Sequence, residues 1–173
     1  MPTVILAFAG MTGLRDHPMT LPKSLSRSPP SAVSAATVVS SLLTVRTSGR
    51  GFTDLTAEIA RFVDAVGAKE GAVTLFIRHT SASLTIQENA DPTVLLDLTT
   101  ALDRLAPEGA GWRHDTEGPD DMPAHVKTML TSVSLHIPVL KGELALGTWQ
   151  GVYLFEHRTA AHLRSVVLHL LGT

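Results

Sequence analysis

The chain has 173 residues, 14 Lys and Arg against 16 Asp and Glu, and no cysteine. Disulfides, thiolate zinc sites and a cysteine nucleophile are therefore excluded, and any transition metal has to be held by His, Asp and Glu. A net charge of -2 with no basic stripe argues against nucleic acid as a partner, since capture of a phosphate backbone needs clustered Lys and Arg to displace counterions.

The length suits one domain with a true core. The opening Val4-Ile5-Leu6-Ala7-Phe8-Ala9-Gly10 lacks a preceding Lys or Arg and is too short to cross a bilayer, so no membrane partner is expected. A cytoplasmic location fits the missing cysteines. Residues 12–36 mix Pro, Ser, Thr and a few basic residues without a hydrophobic period. Residues 1–36 are expected to be a disordered extension, or the product of an over-long start assignment with Met19 as an alternative start. A targeting peptide is the competing reading.

Thr37 to Thr47 is rich in β-branched residues and predicts a strand ended by Gly49-Arg50-Gly51. A helix follows, with Thr53 or Asp54 as cap, Leu55, Ile59, Phe62, Val63 and Val66 on one face, and Gly67 at its end. Val73, Leu75 and Ile77 alternate with Thr74, Phe76 and Arg78, a half-buried strand that ends in His79. Beyond it, Thr80, Ser81 and Ser83 place hydroxyls beside a titratable ring, which suits a phosphate or a metal-bound water. The plainer alternative is that these hydroxyls satisfy a sheet edge.

Asp91-Pro92 opens a second helix whose apolar face is Leu95, Leu98, Leu102 and Leu105, broken by Pro107 and Gly109. The next segment, Arg113 to His125, holds two imidazoles and several carboxylates in turn-rich sequence. Gly118 and Pro119 keep His114 and Asp115 in a loop, while Asp120 or Asp121 caps a helix that carries His125 near its start. Two imidazoles are thereby brought within reach of one ion. A solvated polar surface is the rival reading. Val126, Met129 and Leu130 are expected on the buried side of that helix.

Val133, Leu135, Ile137 and Val139 alternate in another strand, with Pro138 marking an edge or strand end. Lys141-Gly142 turns the chain into an extended run from Glu143 to Arg158, and His162 to Leu171 is a final strand. His136, His162 and His169 alternate with apolar neighbours and are expected to be surface or sheet residues. Strands at both ends with helices between them predict a single α+β domain over residues 37–173, built of mostly antiparallel, sandwich-like sheets flanked by about three helices.

Three runs resemble the YjbQ family of secondary thiamine-phosphate synthase enzymes. They are His79-Thr80-Ser81-Ala82-Ser83-Leu84-Thr85-Ile86-Gln87-Glu88-Asn89-Ala90-Asp91-Pro92, His114-Asp115-Thr116-Glu117-Gly118 through Asp121-Met122-Pro123-Ala124-His125, and Gly142-Glu143-Leu144-Ala145-Leu146-Gly147-Thr148-Trp149-Gln150-Gly151. The resemblance implies a YjbQ-like fold, a homotrimer and His-rich divalent-metal pockets. By motif position it singles out His79, Asn89, Asp91, His114, His125, Gln150 and Glu156. The implied reaction joins a hydroxymethylpyrimidine diphosphate to a thiazole phosphate and releases pyrophosphate.

On that basis His79, His114 and His125 are expected to bind a divalent ion, either zinc or another transition metal, or magnesium with the diphosphate. Asp115 would orient one imidazole, and Asn89, Asp91 and Glu156 are the further catalytic candidates. Thr80, Ser81, Ser83 and Gln150, with the basic residues Arg78, Arg113, Lys127 and Arg158, are the candidates for holding the phosphorylated substrate. The alternatives are a metal-dependent hydrolase of a small phosphorylated molecule and a trimeric metal- or anion-binding protein that turns nothing over.

Overall fold

Eleven elements follow one another in the computed structural model, which describes residues 29–173. They are β1 (Thr37–Arg46), β2 (Gly51–Asp54), α1 (Thr56–Val66), β3 (Glu70–Ile77), β4 (Ala82–Glu88), α2 (Pro92–Leu105), α3 (Asp121–Leu130), β5 (Ser134–Leu140), β6 (Glu143–Leu144), β7 (Gln150–Glu156) and β8 (Leu163–Gly172). Most of the extension expected over residues 1–36 lies outside the described residues. Residues 29–36 are exposed and carry no regular structure.

Two antiparallel sheets divide the strands. The larger runs β1-β8-β3-β5-β6 and the smaller β2-β7-β4. The alternation read in β3 and β5 is what the larger sheet buries: Val73 sits opposite Ile137 and Leu170, and Leu75 opposite Leu135 and Leu168. Side chains of one parity therefore line one face. Leu84, Val152 and Leu154 from the smaller sheet and Ile59 and Val63 from α1 complete the same core. This is the sandwich-like α+β arrangement that the element order predicts.

β7 is buried on both faces from Gly151 to Glu156, which its position between β2 and β4 explains. Val152 and Leu154 face the core. Tyr153 and Phe155 point the other way, where Phe52 stacks on Phe155 at 3.9 Å between ring centroids. Gly151 pairs with Gln87, and a Cβ there would lie 2.8 Å from the Tyr153 ring, so a side chain at this position forces the tyrosine to move.

Three local expectations are corrected. Gly51–Asp54, read as a turn and helix cap, is a short strand paired to β7, and Asp54 Oδ1 accepts the Thr56 N–H at 2.7 Å. In α3 the buried residues include Ala124, Lys127 and Thr128, while Met129 and Leu130 are 78% and 53% exposed. The inward face of α3 is set by the Lys127 ammonium, which reaches Asp103 of α2 at 2.5 Å, and an apolar-periodicity argument cannot anticipate a buried ion pair. On α2, Leu98 and Leu102 cover Phe52 and Phe155, but Leu105 is 67% exposed. Asp91 caps that helix as its sequence predicts, accepting the Thr93 N–H at 2.8 Å.

Candidate functional site

His114, in the loop before α3, and Asp121 and His125, one helical turn apart at the start of α3, converge on one point. One ligand atom from each lies within 4.8 Å of the others. The i, i+4 spacing puts Asp121 and His125 on the same helix face. His114 Nε2 stands 2.8 Å from Asp121 Oδ2, and His125 Nε2 stands 3.6 Å from the same oxygen.

The protonation pattern is informative. His125 Nδ1 lies 3.0 Å from the Thr80 carbonyl, which can only accept, so Nδ1 donates there and Nε2 is the nitrogen left facing Asp121. His114 approaches Asp121 Oδ2 off the direction of a hydrogen bond, leaving that buried oxygen without a partner among the described residues. Asp121 is 2% exposed. A buried carboxylate oxygen with no hydrogen-bond donor is costly, and a cation held between it and the two imidazoles would remove that cost. Two imidazoles and one carboxylate are donor types that a transition-metal ion takes, and here they are gathered around one point.

Arg158, just after β7, holds the carboxylates in place. Its Nη1 pairs with Asp121 Oδ1, its Nε with Asp120 Oδ2 at 3.2 Å, and its Nη2 donates to the Glu117 carbonyl at 2.7 Å. Burial opposes ionisation of Asp120. Hydrogen bonds from the Thr159 N–H and hydroxyl and then from Arg158 outweigh it, and hold that carboxyl at about 2. Asp120 therefore serves as an anchor for Arg158 and Thr159 and makes no side-chain cap.

A second network lies behind this one. Glu156 is fully buried and accepts from Arg164 Nη2 at 2.5 Å and Nε at 2.7 Å, from the Thr47 hydroxyl at 2.9 Å and from the Arg158 N–H at 3.0 Å. Burial opposes its charge, but these donors prevail and its pKa falls below the ordinary glutamate value. Arg164 in turn lies 3.5 Å from His79 Nδ1.

His79 stands apart from the convergent cluster. Its Nε2 accepts the Ser165 N–H at 2.8 Å, an amide that can only donate, so the proton of the neutral ring belongs on Nδ1 beside the Arg164 guanidinium. Burial and then the Arg164 charge lower its pKa. With one nitrogen engaged by the backbone and the other facing a cation, His79 offers no lone pair to His114 and His125. Asp121, expected only as a helix cap, occupies the third place.

The other expected site residues divide by position. Thr80 and Ser81 border the cluster side of the molecule, whereas Asn89, Asp91 and Gln150 sit at the opposite end of the β4–β7 pair, about 20 Å away at a strand rise of about 3.3 Å per residue. There Gln150 Oε1 accepts the Gly147 N–H at 2.8 Å, and Asn89 Nδ2 donates to the Gln150 carbonyl at 3.4 Å. Asp115 and Arg113 are exposed, and Lys127 points away to Asp103. His136 and His169 lie on the sheet exterior against Thr74 and Ser40, and His162 is partly exposed, as their alternation predicts.

Ser83 is fully buried against His157, a residue that no motif of the sequence marks, with Oγ and Nε2 2.9 Å apart. The parity of β7 was the available signal, since it puts His157 on the face of Tyr153 and Phe155. Burial and then the Lys127 charge push its pKa down to about 3. A depressed folded-state histidine pKa means that the unfolded chain binds the proton first as pH falls. This group's contribution is complete above about 6.5 and is lost progressively toward 3. Urea unfolding is expected to show about 2 kcal/mol of stability lost to this group between pH 7 and 5, and the His157→Phe variant should have a flatter profile over that interval. An unchanged slope would contradict the assignment.

The fold and the convergent His-Asp-His arrangement define an antiparallel α+β protein with a candidate metal centre on a loop and helix start beside the smaller sheet. The model of the UPF0047 protein YjbQ-like family matches residues 41–173, and the chain belongs to that family. A UPF0047 protein of Synechocystis is 51% identical over 132 residues, which cover 76% of this chain and 90% of that one. The UPF0047 protein YjbQ of Escherichia coli is 42% identical over 131 residues, 75% of this chain and 95% of its own. Among solved structures, a YjbQ/UPF0047 family protein of Clostridium acetobutylicum matches with a TM-score of 0.70 at 35% identity, covering 75% of this chain and 98% of that one. A conserved hypothetical protein of Thermus thermophilus matches with a TM-score of 0.65 at 39% identity, covering 73% and 97%. Among the described residues no helix is long and apolar enough to cross a membrane.

Proposed function

We propose that this chain is a metal-assisted enzyme acting on a small phosphorylated molecule, and that its reaction is the thiamine-phosphate synthase-type transfer. The observation that carries the metal is the unpartnered, buried Asp121 Oδ2 between two imidazoles. His114, Asp121 and His125 would hold the ion, and the donor set favours zinc or a neighbouring transition metal over magnesium, which prefers oxygen ligands. When bound, such an ion supplies charge stabilisation to a departing phosphate oxygen.

In the transfer, the thiazole nitrogen forms a bond to the methylene carbon of the pyrimidine. The carbon–oxygen bond to the diphosphate breaks, and pyrophosphate leaves with the electron pair. The chain's own part is positioning and charge. Arg158 fixes Asp121 through one carboxylate oxygen and leaves the other toward the imidazoles, while Thr80 fixes the His125 ring through its carbonyl. The choice of this transfer rests on the family resemblance, as does assembly as a homotrimer. The exposed Leu96, Leu105, Met129 and Leu130 offer apolar surface for that assembly, and sedimentation of the full chain tests it.

The test is a reaction of the metal-loaded protein with hydroxymethylpyrimidine diphosphate and thiazole phosphate, read for thiamine phosphate and pyrophosphate. Formation of both products, lost in His125→Ala together with the bound metal, is the expected result. Phosphate release that does not need the thiazole would replace the transferase with a hydrolase. Metal binding with no turnover of either kind would reduce the protein to a binder.

A further inference from the structure

Beside the cluster lies a recess of about 450 Å³ whose lining includes Phe76, Arg78, His79, Thr80, Ser81 and Arg164. None of its described lining residues is acidic. It adjoins the metal-ligand candidates through Thr80, whose carbonyl receives His125 Nδ1. Two donors meet at its inner wall. The Ser165 amide occupies His79 Nε2 and so places the ring proton on Nδ1, which faces Arg164 Nη1 at 3.5 Å. Neither of these groups can accept from the other. Arg164 Nη1 has no acceptor among the described residues, because Glu156 takes only its Nε and Nη2. Arg78, exposed on the same recess, adds a charge without a described side-chain partner.

Paired donors with no acceptor between them, one from a guanidinium held rigidly by a buried carboxylate, are the arrangement that receives an oxyanion. We propose that this recess is an anion subsite that takes a phosphate group of the substrate on His79 Nδ1, Arg164 Nη1 and Arg78. Phe76, 47% exposed, supplies an apolar wall, so the group bound is a phosphate carried on a small, partly apolar ring. The role of His79 is thus to donate to an anion, replacing the ligand role first expected of it. The subsite rests on the enzyme reading only for the identity of that anion.

The experiment titrates inorganic phosphate into the chelator-treated full chain and follows both affinity and the nitrogen resonances of the imidazoles. Phosphate should move the His79 Nδ1 resonance. Arg78→Ala and His79→Leu should each weaken binding by about tenfold, the loss expected for one charge-assisted contact, while Arg61→Ala, which removes an exposed charge outside the recess, stays within about twofold of wild type. If His79→Leu fails to fold, Arg78→Ala and the wild-type resonance still decide. No phosphate binding, or equal affinity in Arg78→Ala with a stationary His79 resonance, overturns the subsite. Metal titration of the same samples separates the two claims: a wild type that binds phosphate as stated but no metal retains the subsite and discards the metal-assisted reading.

Discussion

Replacing Glu156 by glutamine is expected to lower the unfolding free energy by about 3–5 kcal/mol, the usual cost of breaking a buried ion pair from one side. The carboxylate is fully buried, and both its oxygens are committed to Arg164, with Thr47 and the Arg158 N–H as further donors. Glutamine keeps one acceptor oxygen but turns an NH2 toward a guanidinium that is 4% exposed, leaving that charge uncompensated. Urea denaturation with an unchanged m-value reads the loss directly. The wild-type carboxyl titrates below its ordinary value, so its contribution is present above the unfolded glutamate pKa and disappears as pH falls through the folded one. The variant should accordingly lose part of its acid sensitivity. A change under about 1 kcal/mol would mean that Glu156 is not the counterion of Arg164 in solution.

Much of this architecture was legible because it depends on local periodicity. The alternation of Val73, Leu75 and Ile77 and of Leu135, Ile137 and Val139 required only that a sheet have one buried face, and both strands form there, although β3 ends at Ile77, short of His79, and β5 starts at Ser134. Asp91-Pro92 announced a helix start through capping chemistry, which is also local. His114 and His125 were readable as neighbours because Gly118-Pro119 folds the loop back onto the helix start.

What stayed hidden depends on distant pairing. The tautomer of His79 is fixed by the amide of Ser165, which is brought alongside by β8, 86 residues further along the chain. Nothing near His79 signals that one of its nitrogens is already engaged. Lys127 is expected from the sequence to hold the substrate's phosphate, but its ammonium is taken by Asp103 of a different helix, a pairing that nothing near Lys127 signals. Asp121 is the instructive miss. Its i, i+4 spacing to His125 is local, but a carboxylate at a helix start has a ready explanation as a cap, and only the return of the His114 loop onto the same helix face separates the two roles.

That same carboxylate carries the largest expected effect on ligand binding. Asp121→Asn should weaken transition-metal binding by at least about 100-fold, since it removes the single anionic donor from the cluster. In the metal-free protein the change should be mild, because asparagine can still offer Arg158 an oxygen and Asp120 still answers the guanidinium's charge. Arg158→Lys should weaken metal by about 10–100-fold through loss of the fork that aims the carboxylate, with the ligands themselves intact. Competition titration against a chromogenic chelator measures all three proteins. A ranking in which Arg158→Lys loses more than Asp121→Asn would place the ion elsewhere, because a group acting through Asp121 cannot matter more to the metal than Asp121 itself.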